Sequence, residues 1–458
     1  MVLINKNEPL WRNIVLFFLI FMIGVVPLIF LNFNHDASNW ERTGMHEYVV
    51  MDEDNIYKPK LDALLFAEII LLLYSLYLIR SRKIKINYHH IYIPLLIFLF
   101  LLILSTVFSK HRWIAFYGYP YRWEGLLAYL AYILLFVYII IFISKRDKLI
   151  FLVKTLLVSG SLITIYGYLQ LFRLDFIDAG HYRERFYPRM FSTLGNPNFA
   201  GTYISMLLPL AFVLFLYAKN RRQYIITGVM TAGFYGFLIG TSTRGCWLTF
   251  AVIFLMIVWL LREKIRKNYK PFLILVLAFI LITAVMDYYQ GGYITRRLLS
   301  IILDMERLTD RTQISNVGSH RMFIYQHSIA LLWENPLLGS GLDTFRFVFP
   351  QAKFMEHINK NIVADKAHCE YLQLAITAGI PALLAYLWLV GSILKRGYRN
   401  LKKNDKYQQG LFMAMLAYLI QATFNISVVS VAPVFWAVMG MNVVINCILR
   451  KGKITYNN

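Results

Sequence analysis

Residues 221–263 read RRQYIITGVMTAGFYGFLIGTSTRGCWLTFAVIFLMIVWLLRE. Two apolar runs, 223–241 and 246–261, flank the short turn Ser242-Thr243-Arg244-Gly245, and cationic residues close both outer ends. Each run approaches the ~20 residues that an α-helix needs to cross a bilayer core. The stretch reads as a membrane-spanning hairpin, tightly turned at one end and charged at the other. Similar runs recur at roughly 13–33, 61–79, 91–108, 125–143, 150–172, 199–217, 271–289, 368–394, 410–428 and 431–449, which makes about 12 spans. The first run is too long for a cleavable signal, and no small-residue cleavage site follows it.

The composition agrees. Of 458 residues, 58% are hydrophobic and 16% charged, and mean hydropathy is +0.54. A soluble globular domain has about 25% charged residues. A disordered chain, a disulfide scaffold and an ordinary cytosolic enzyme are excluded. The formal charge of +22 would suggest nucleic acid in a soluble protein. Here the cations act as topological anchors and as partners of lipid phosphates, and no nucleic-acid partner is expected. Cys246, Cys369 and Cys447 are too few and too scattered for a disulfide framework or a zinc cluster.

Loop charge orients the spans. The N-terminal segment and the short joints from Arg80, Lys145, Lys219, Arg262, Lys395 and Arg450 hold 26 Lys and Arg but only four acids, Glu8, Asp147, Glu263 and Asp405. By the positive-inside rule this set is cytoplasmic, with both termini inside. The opposite joints mix charges. One of them, 290–367, is long enough to hold architecture of its own, because such inserts are usually functional. Apolar residues recur at Ile294, Leu298, Ile301, Ile302, Met305 and Leu308, which predicts a surface helix over 293–308. A second helix is expected from Ser319, as N-cap, to Trp333. The chain then divides into 1–190, with spans 1–5; 191–394, with spans 6–10 and the long loop; and 395–458, with spans 11 and 12.

Arginine at helix starts is the main chemical signal. Arg244 opens the helix after the 242–245 turn, and Arg321 lies in the first turn of the second loop helix. Free N–H groups and the helix dipole favour anions there, and a guanidinium fork fits phosphate bidentately. The alternatives are an arginine snorkelling to the interface and a solvated helix residue. His368, opening span ten, is the acid/base candidate, and Asp365 could orient its ring. A capping histidine is the bland reading. Asn196 and Asn198 suit sugar hydroxyls or a helix cap. Arg189 adds a cation nearby. Arg122, among Trp113, Tyr117, Tyr119 and Trp123, suits either sugar stacking or an interfacial aromatic belt. Asp52-Glu53-Asp54 could hold a divalent metal for a lipid phosphate, or form a solvated acidic turn. Glu68 is an intramembrane acid, functional by default or bonded to a neighbouring span. No Walker A or dinucleotide motif is present, so no cofactor is expected.

The runs Phe191-Ser-Thr-Leu-Gly-Asn-Pro-Asn-Phe-Ala-Gly-Thr202, Ser242-Thr243-Arg244-Gly245, Ser319-His320-Arg321 leading to 333–341, and Ala367-His368 through Tyr371-Leu372 to Pro381 resemble the O-antigen ligase and polymerase family over about 190–390. The resemblance implies an all-α, GT-C-like polytopic glycosyltransferase of the bacterial cytoplasmic membrane. Such an enzyme works without a metal at the outer face. Its donor is a glycan on polyprenyl (undecaprenyl) diphosphate, and its acceptor a hydroxyl of a glycan, lipid or protein. By the same resemblance, Arg244 and Arg321 grip the diphosphate and His368 activates the acceptor. Cys369 departs from the Asn or Ser of the family pattern, which alters hydrogen bonding beside the histidine. Two other functions stay open at this point: a metal-dependent transferase using Asp52 and Asp54, and a transporter or flippase for a lipid-linked glycan.

Overall fold

The computed structural model describes residues 9–30, 54–84, 89–120, 122–175, 185–310 and 313–451. Among the described residues every regular element is helical. The first half of the chain forms α1 (Leu10–Ile20), α2 (Asp54–Arg80), α3 (Tyr92–Phe108), the short α4 (Arg112–Tyr117), α5 (Leu126–Phe142), α6 (Arg146–Leu171), α7 (Pro197–Leu216) and α8 (Arg221–Gly240). It is followed by α9 (Arg244–Leu260), α10 (Arg262–Lys267), α11 (Tyr269–Tyr289), α12 (Tyr293–Thr309) and α13 (Arg321–Leu331). The chain closes with α14 (Phe345–Val348), α15 (Gln351–Ile358), α16 (Glu370–Ala378), α17 (Ile380–Asn400), α18 (Lys406–Gln421) and α19 (Ala432–Lys451).

Eight of these segments are long and apolar enough to cross a membrane, and α3, α5 and α9 are shorter apolar helices. The chain is a multi-pass helical membrane protein. Two expected spans differ from the sequence reading. The segment 368–394 is broken at Gly379 into α16 and α17. The segment 410–428 ends as a helix at Gln421, and the chain beyond it turns to give its carbonyls to other elements.

Long-range hydrogen bonds sort the helix ends into two groups. At one end Arg146 pairs with Asp405, Arg396 meets His89 and Asn400 bonds to Asn446. At the other, Ser109 Oγ donates to the Ser340 carbonyl at 2.7 Å. There too Lys60 Nζ donates to the carbonyls of Ile29 and Thr193, each at 2.7 Å. This second end carries the polar turns and helix starts described below.

The central helix, α7, is buried along almost its whole length and packs on α8, α9 and α18. A helix that is apolar all round is stable only when enclosed. Pro197 starts it, and Asn196 caps it by accepting from the Asn198 N–H at 2.8 Å. Glu68, midway along α2, is buried, and neither carboxylate oxygen has a partner among the described residues. By contrast, α12 lies on the outside. Leu298, Leu299, Ile302 and Leu303 are exposed on it while Ile294 is buried, the pattern of a helix resting at a membrane surface.

The break at Gly379 has a physical cause. Gly379 adopts φ 91° and ψ 158°, open essentially to glycine alone. The turn 336–341 packs against this break. Ser340 N donates to Ile376 O at 3.0 Å, Gly341 N to Thr377 O at 2.8 Å, and Ile380 N to Pro336 O at 2.8 Å. The first two bonds use carbonyls that the end of α16 leaves open, and the third satisfies the first N–H of α17. A Cβ at Gly379 would lie 2.2 Å from the Leu337 carbonyl oxygen. Gly379→Ala should therefore lower stability by ~3 kcal/mol or more, because backbone strain and a backbone clash add. A thermal unfolding midpoint in detergent equal to wild type would contradict this account.

Candidate functional site

The polar end of the bundle gathers four helix starts and one outer helix. Thr243 precedes α9 without a side-chain cap, so the first N–H groups of α9 stay open, and Arg244 is its first residue. Arg321 is the first residue of α13. Ser319 is not the N-cap expected from the sequence. Ser319 and His320 both take positive φ, at 58° and 67°, and His320 holds the cap position without a side-chain bond. The Ser319 hydroxyl instead accepts from Arg244 Nη2 at 3.1 Å.

Arg244 is well held. Its Nη1 donates to Asp304 Oδ2 at 2.6 Å and to Ser300 Oγ at 3.1 Å, both on α12. The same Asp304 oxygen accepts from the Gly318 N–H at 3.1 Å. Arg321 Nη1 donates to the Phe424 carbonyl at 2.7 Å. Arg189 Nε donates to the Thr241 carbonyl at 2.9 Å, and its Nη2 reaches Asn198 Oδ1 and Thr243 Oγ1, each at 3.1 Å. Arg189 thus joins the start of α7 to the turn before Arg244. Arg297, on α12, completes the group through Nε to the Ser242 carbonyl at 3.3 Å.

A cavity of about 320 Å³ opens among these groups. Asn198, Thr243, Arg244, Arg297, Asp304, Arg321 and Tyr325 line its polar side, and Leu248, Ile301, Met305, Leu308 and Met322 its apolar side. A second cavity, of about 440 Å³, shares Arg244, Arg297 and Asp304. Burial and neighbouring like charge both act on these guanidiniums. Burial, and after it Arg297, pulls Arg189 down to about 10. Burial, then Arg244 and Arg297, lowers Arg321. The lining is chemically suited to an anion that carries an apolar group.

His368 stands beside this cavity and does not line it. Its φ is 53°, just before α16. Tyr325 links the two, because its hydroxyl donates to the His368 carbonyl at 3.0 Å while its ring faces the cavity. His368 Nδ1 is enclosed without a partner among the described residues. Burial, and after it the charges of Arg321 and Lys366, holds the imidazole well below its ordinary pKa, with Asp365 opposing. The ring is neutral at pH 7 and able to take a proton.

Asp365 and Arg122 belong to the support of this loop. Arg122 Nη1 donates to the Asp365 carbonyl at 2.7 Å and to Asp365 Oδ2 at 3.2 Å. Arg122 Nη2 pairs with the buried Asp343 at 2.7 Å. Burial alone would raise Asp365, but Lys366 and Arg122 outweigh it and hold the carboxyl far below its usual range. Asn196 is engaged as the cap of α7. The Asn198 amide oxygen faces the cavity, where Arg189 and Thr243 hold it. The structure therefore brings Arg244, Arg321, Arg189 and Asn198 together, sets His368 alongside, and places Arg122 and Asp365 beneath the histidine loop. Arg297 and Asp304 fall between the apolar positions of α12. No sequence signal separates them from ordinary solvated positions.

Among the described residues no three or more His, Cys, Asp or Glu side chains form a metal-holding group. The Asp52-Glu53 part of the acidic tripeptide lies outside the described residues, as does the Asp54 side chain.

Arg122→Ala would leave Asp343 buried without its cation. Losing one partner of such a pair costs about 3–5 kcal/mol. The variant should show a clear fall in the thermal midpoint in detergent. Adding Asp343→Asn should recover part of the loss, and a midpoint unchanged in Arg122→Ala would contradict the supporting role.

Residues 227–387 match a family model described as O-antigen ligase. No curated protein matches the chain.

Proposed function

We propose that this chain, whose residues 227–387 match a family model described as O-antigen ligase, is a glycosyltransferase of the O-antigen ligase/polymerase type. It moves a glycan from polyprenyl diphosphate to an acceptor hydroxyl at the outer face of the cytoplasmic membrane. The observation that carries this reading is the cavity walled by Arg244, Arg297 and Arg321 on one side and by aliphatic side chains on the other. A diphosphate attached to a long isoprenoid needs both walls. The cation-rich helix ends, at Lys219–Arg222, Arg262–Lys270 and Lys395–Lys406, lie away from the cavity and face the cytoplasm by charge. Twelve passes would take α3, α5 and α9 as short spans beside the eight longer ones, with α18 as the twelfth.

The chemistry asked of the protein is modest. The diphosphate is already a good leaving group, so the enzyme mainly stabilises charge where it develops. Arg244 and Arg321 do this with guanidinium forks at helix starts, without a metal. The acceptor hydroxyl is activated by His368, the neutral base held over the Arg122–Asp365 support. Attack from the face opposite the diphosphate inverts the anomeric centre.

The decisive experiment is product analysis with purified protein, polyprenyl-diphosphate glycan and candidate acceptors in EDTA. A new glycosidic bond with inverted configuration is expected. Lipid movement without bond formation would instead make the chain a transporter. In the same assay Arg244→Lys should lose ~10²–10³-fold in rate, since a point charge cannot replace the fork. Near-normal turnover would remove Arg244 from the site.

The pH profile tests His368. The neutral ring is the working form, and its protonation is disfavoured in the free protein. The acid limb of kcat/KM, which reports the free enzyme, should therefore fall well below the ordinary value of 6.5. His368→Ala should keep donor binding and lose ~10²–10⁴-fold in transfer. An acid limb centred at 6.5 or above, or normal transfer by the variant, would refute the assignment of His368 as base.

A further inference from the structure

Arg297 stands out among the arginines of the cavity. Its Nε is aimed by the Ser242 carbonyl at 3.3 Å, directly over the turn that delivers Arg244, and its head lies 6.0 Å from the Tyr293 ring. Its Nη groups have no hydrogen-bond partner among the described residues. It lines both cavities that Arg244 lines. The other cations are more committed. Arg244 is engaged by Asp304, Ser300 and Ser319, and Arg189 by Thr241, Asn198 and Thr243. Asp304 cannot neutralise the group, because it already receives Arg244, Arg307 and the Gly318 N–H. Four guanidiniums therefore face one carboxylate.

The charge of the substrate changes during the reaction proposed above. A glycosyl diphosphate diester carries two negative charges. When the bond from the anomeric carbon to the distal phosphate oxygen breaks, its electron pair stays on that oxygen. The acceptor oxygen bonds to the carbon and its proton passes to His368. The departing diphosphate then carries a third charge, since a terminal phosphate ionises with a pKa near 6. A group that meets charge present only after cleavage accelerates transfer without tightening donor binding.

Resting on the glycosyltransferase reading, we propose that Arg297 is a third diphosphate-gripping residue, whose free Nη groups answer the charge that appears on the leaving diphosphate. Arg244 and Arg321 hold the donor, and Arg297 rewards its cleavage.

The test uses full-length wild type and Arg297→Gln, with gel filtration to confirm folding. Single-turnover transfer from polyprenyl-diphosphate glycan should slow by ~10²–10³-fold, as for loss of one oxyanion donor. Donor KM should change by less than about threefold. Inhibition by free polyprenyl diphosphate should weaken by about tenfold or more, while inhibition by polyprenyl monophosphate should hardly move. Arg297→Lys should fall between the two, keeping the charge and losing the fork. Wild-type transfer by Arg297→Gln, or a loss confined to donor KM, overturns the assignment while leaving the glycosyltransferase reading intact. If wild type itself forms no glycosidic bond, that reading fails. Arg297 is then judged on direct binding of polyprenyl diphosphate alone, where an unchanged affinity overturns it.

Discussion

Mutual repulsion among Arg189, Arg244, Arg297 and Arg321 is the constraint around which the polar end of the protein is built. Burial first, and neighbouring like charge after it, lowers Arg189, Arg297 and Arg321. The four stay together because each is tied to a different piece of backbone: Thr241, Ser300, Ser242 and Phe424. The carbonyls at the ends of neighbouring helices thus act as fixed negative dipoles. The cost of assembling the cluster is met by the rest of the fold before any ligand arrives. That is what preorganised electrostatics requires, since no reorganisation is then needed at the moment of reaction.

The same field reaches His368. Arg321 and Lys366 disfavour its protonation in the empty site. A base so placed would be poor if it had to hold its proton against those charges. In the proposed reaction, negative charge building on the diphosphate would change the balance by cancelling the field of Arg321 as the proton moves. Acceptor activation and leaving-group departure would then be coupled through one guanidinium, with Tyr325 holding the loop that carries His368.

Much of this was readable from residues alone, and the parts that were not share a cause. Apolar runs announced the helices, because a bilayer leaves no other way to satisfy the backbone. The α12 helix was legible from its spacing of Ile294, Leu298 and Ile302, and it runs over Tyr293–Thr309. The helix starts at Arg244 and Arg321 were legible because turn residues stand before them. The break at Gly379 was written as Gly-Ile-Pro, a helix start signal, yet its apolar flanks read as one continuous span. Ser319 looked like a cap because its partner, Arg244, is 75 residues away. Arg297 and Asp304 gave no sign at all. On an amphipathic helix a polar residue facing a cavity and one facing water have the same local pattern.

Lys60 shows what the boundaries of a matched family segment mean for this molecule. Its ammonium is fully buried and joins the carbonyls of Ile29, Ile56 and Thr193. It therefore cross-braces the first two transmembrane segments to the turn that presents Asn196 and Asn198. Arg122, Arg189 and both asparagines also precede residue 227, where the family match begins. The matched stretch therefore does not hold the whole cavity lining. Asn198 and Phe424 come from either side of it, so grafting 227–387 onto foreign flanks would need both rebuilt, together with the lysine brace behind Asn198.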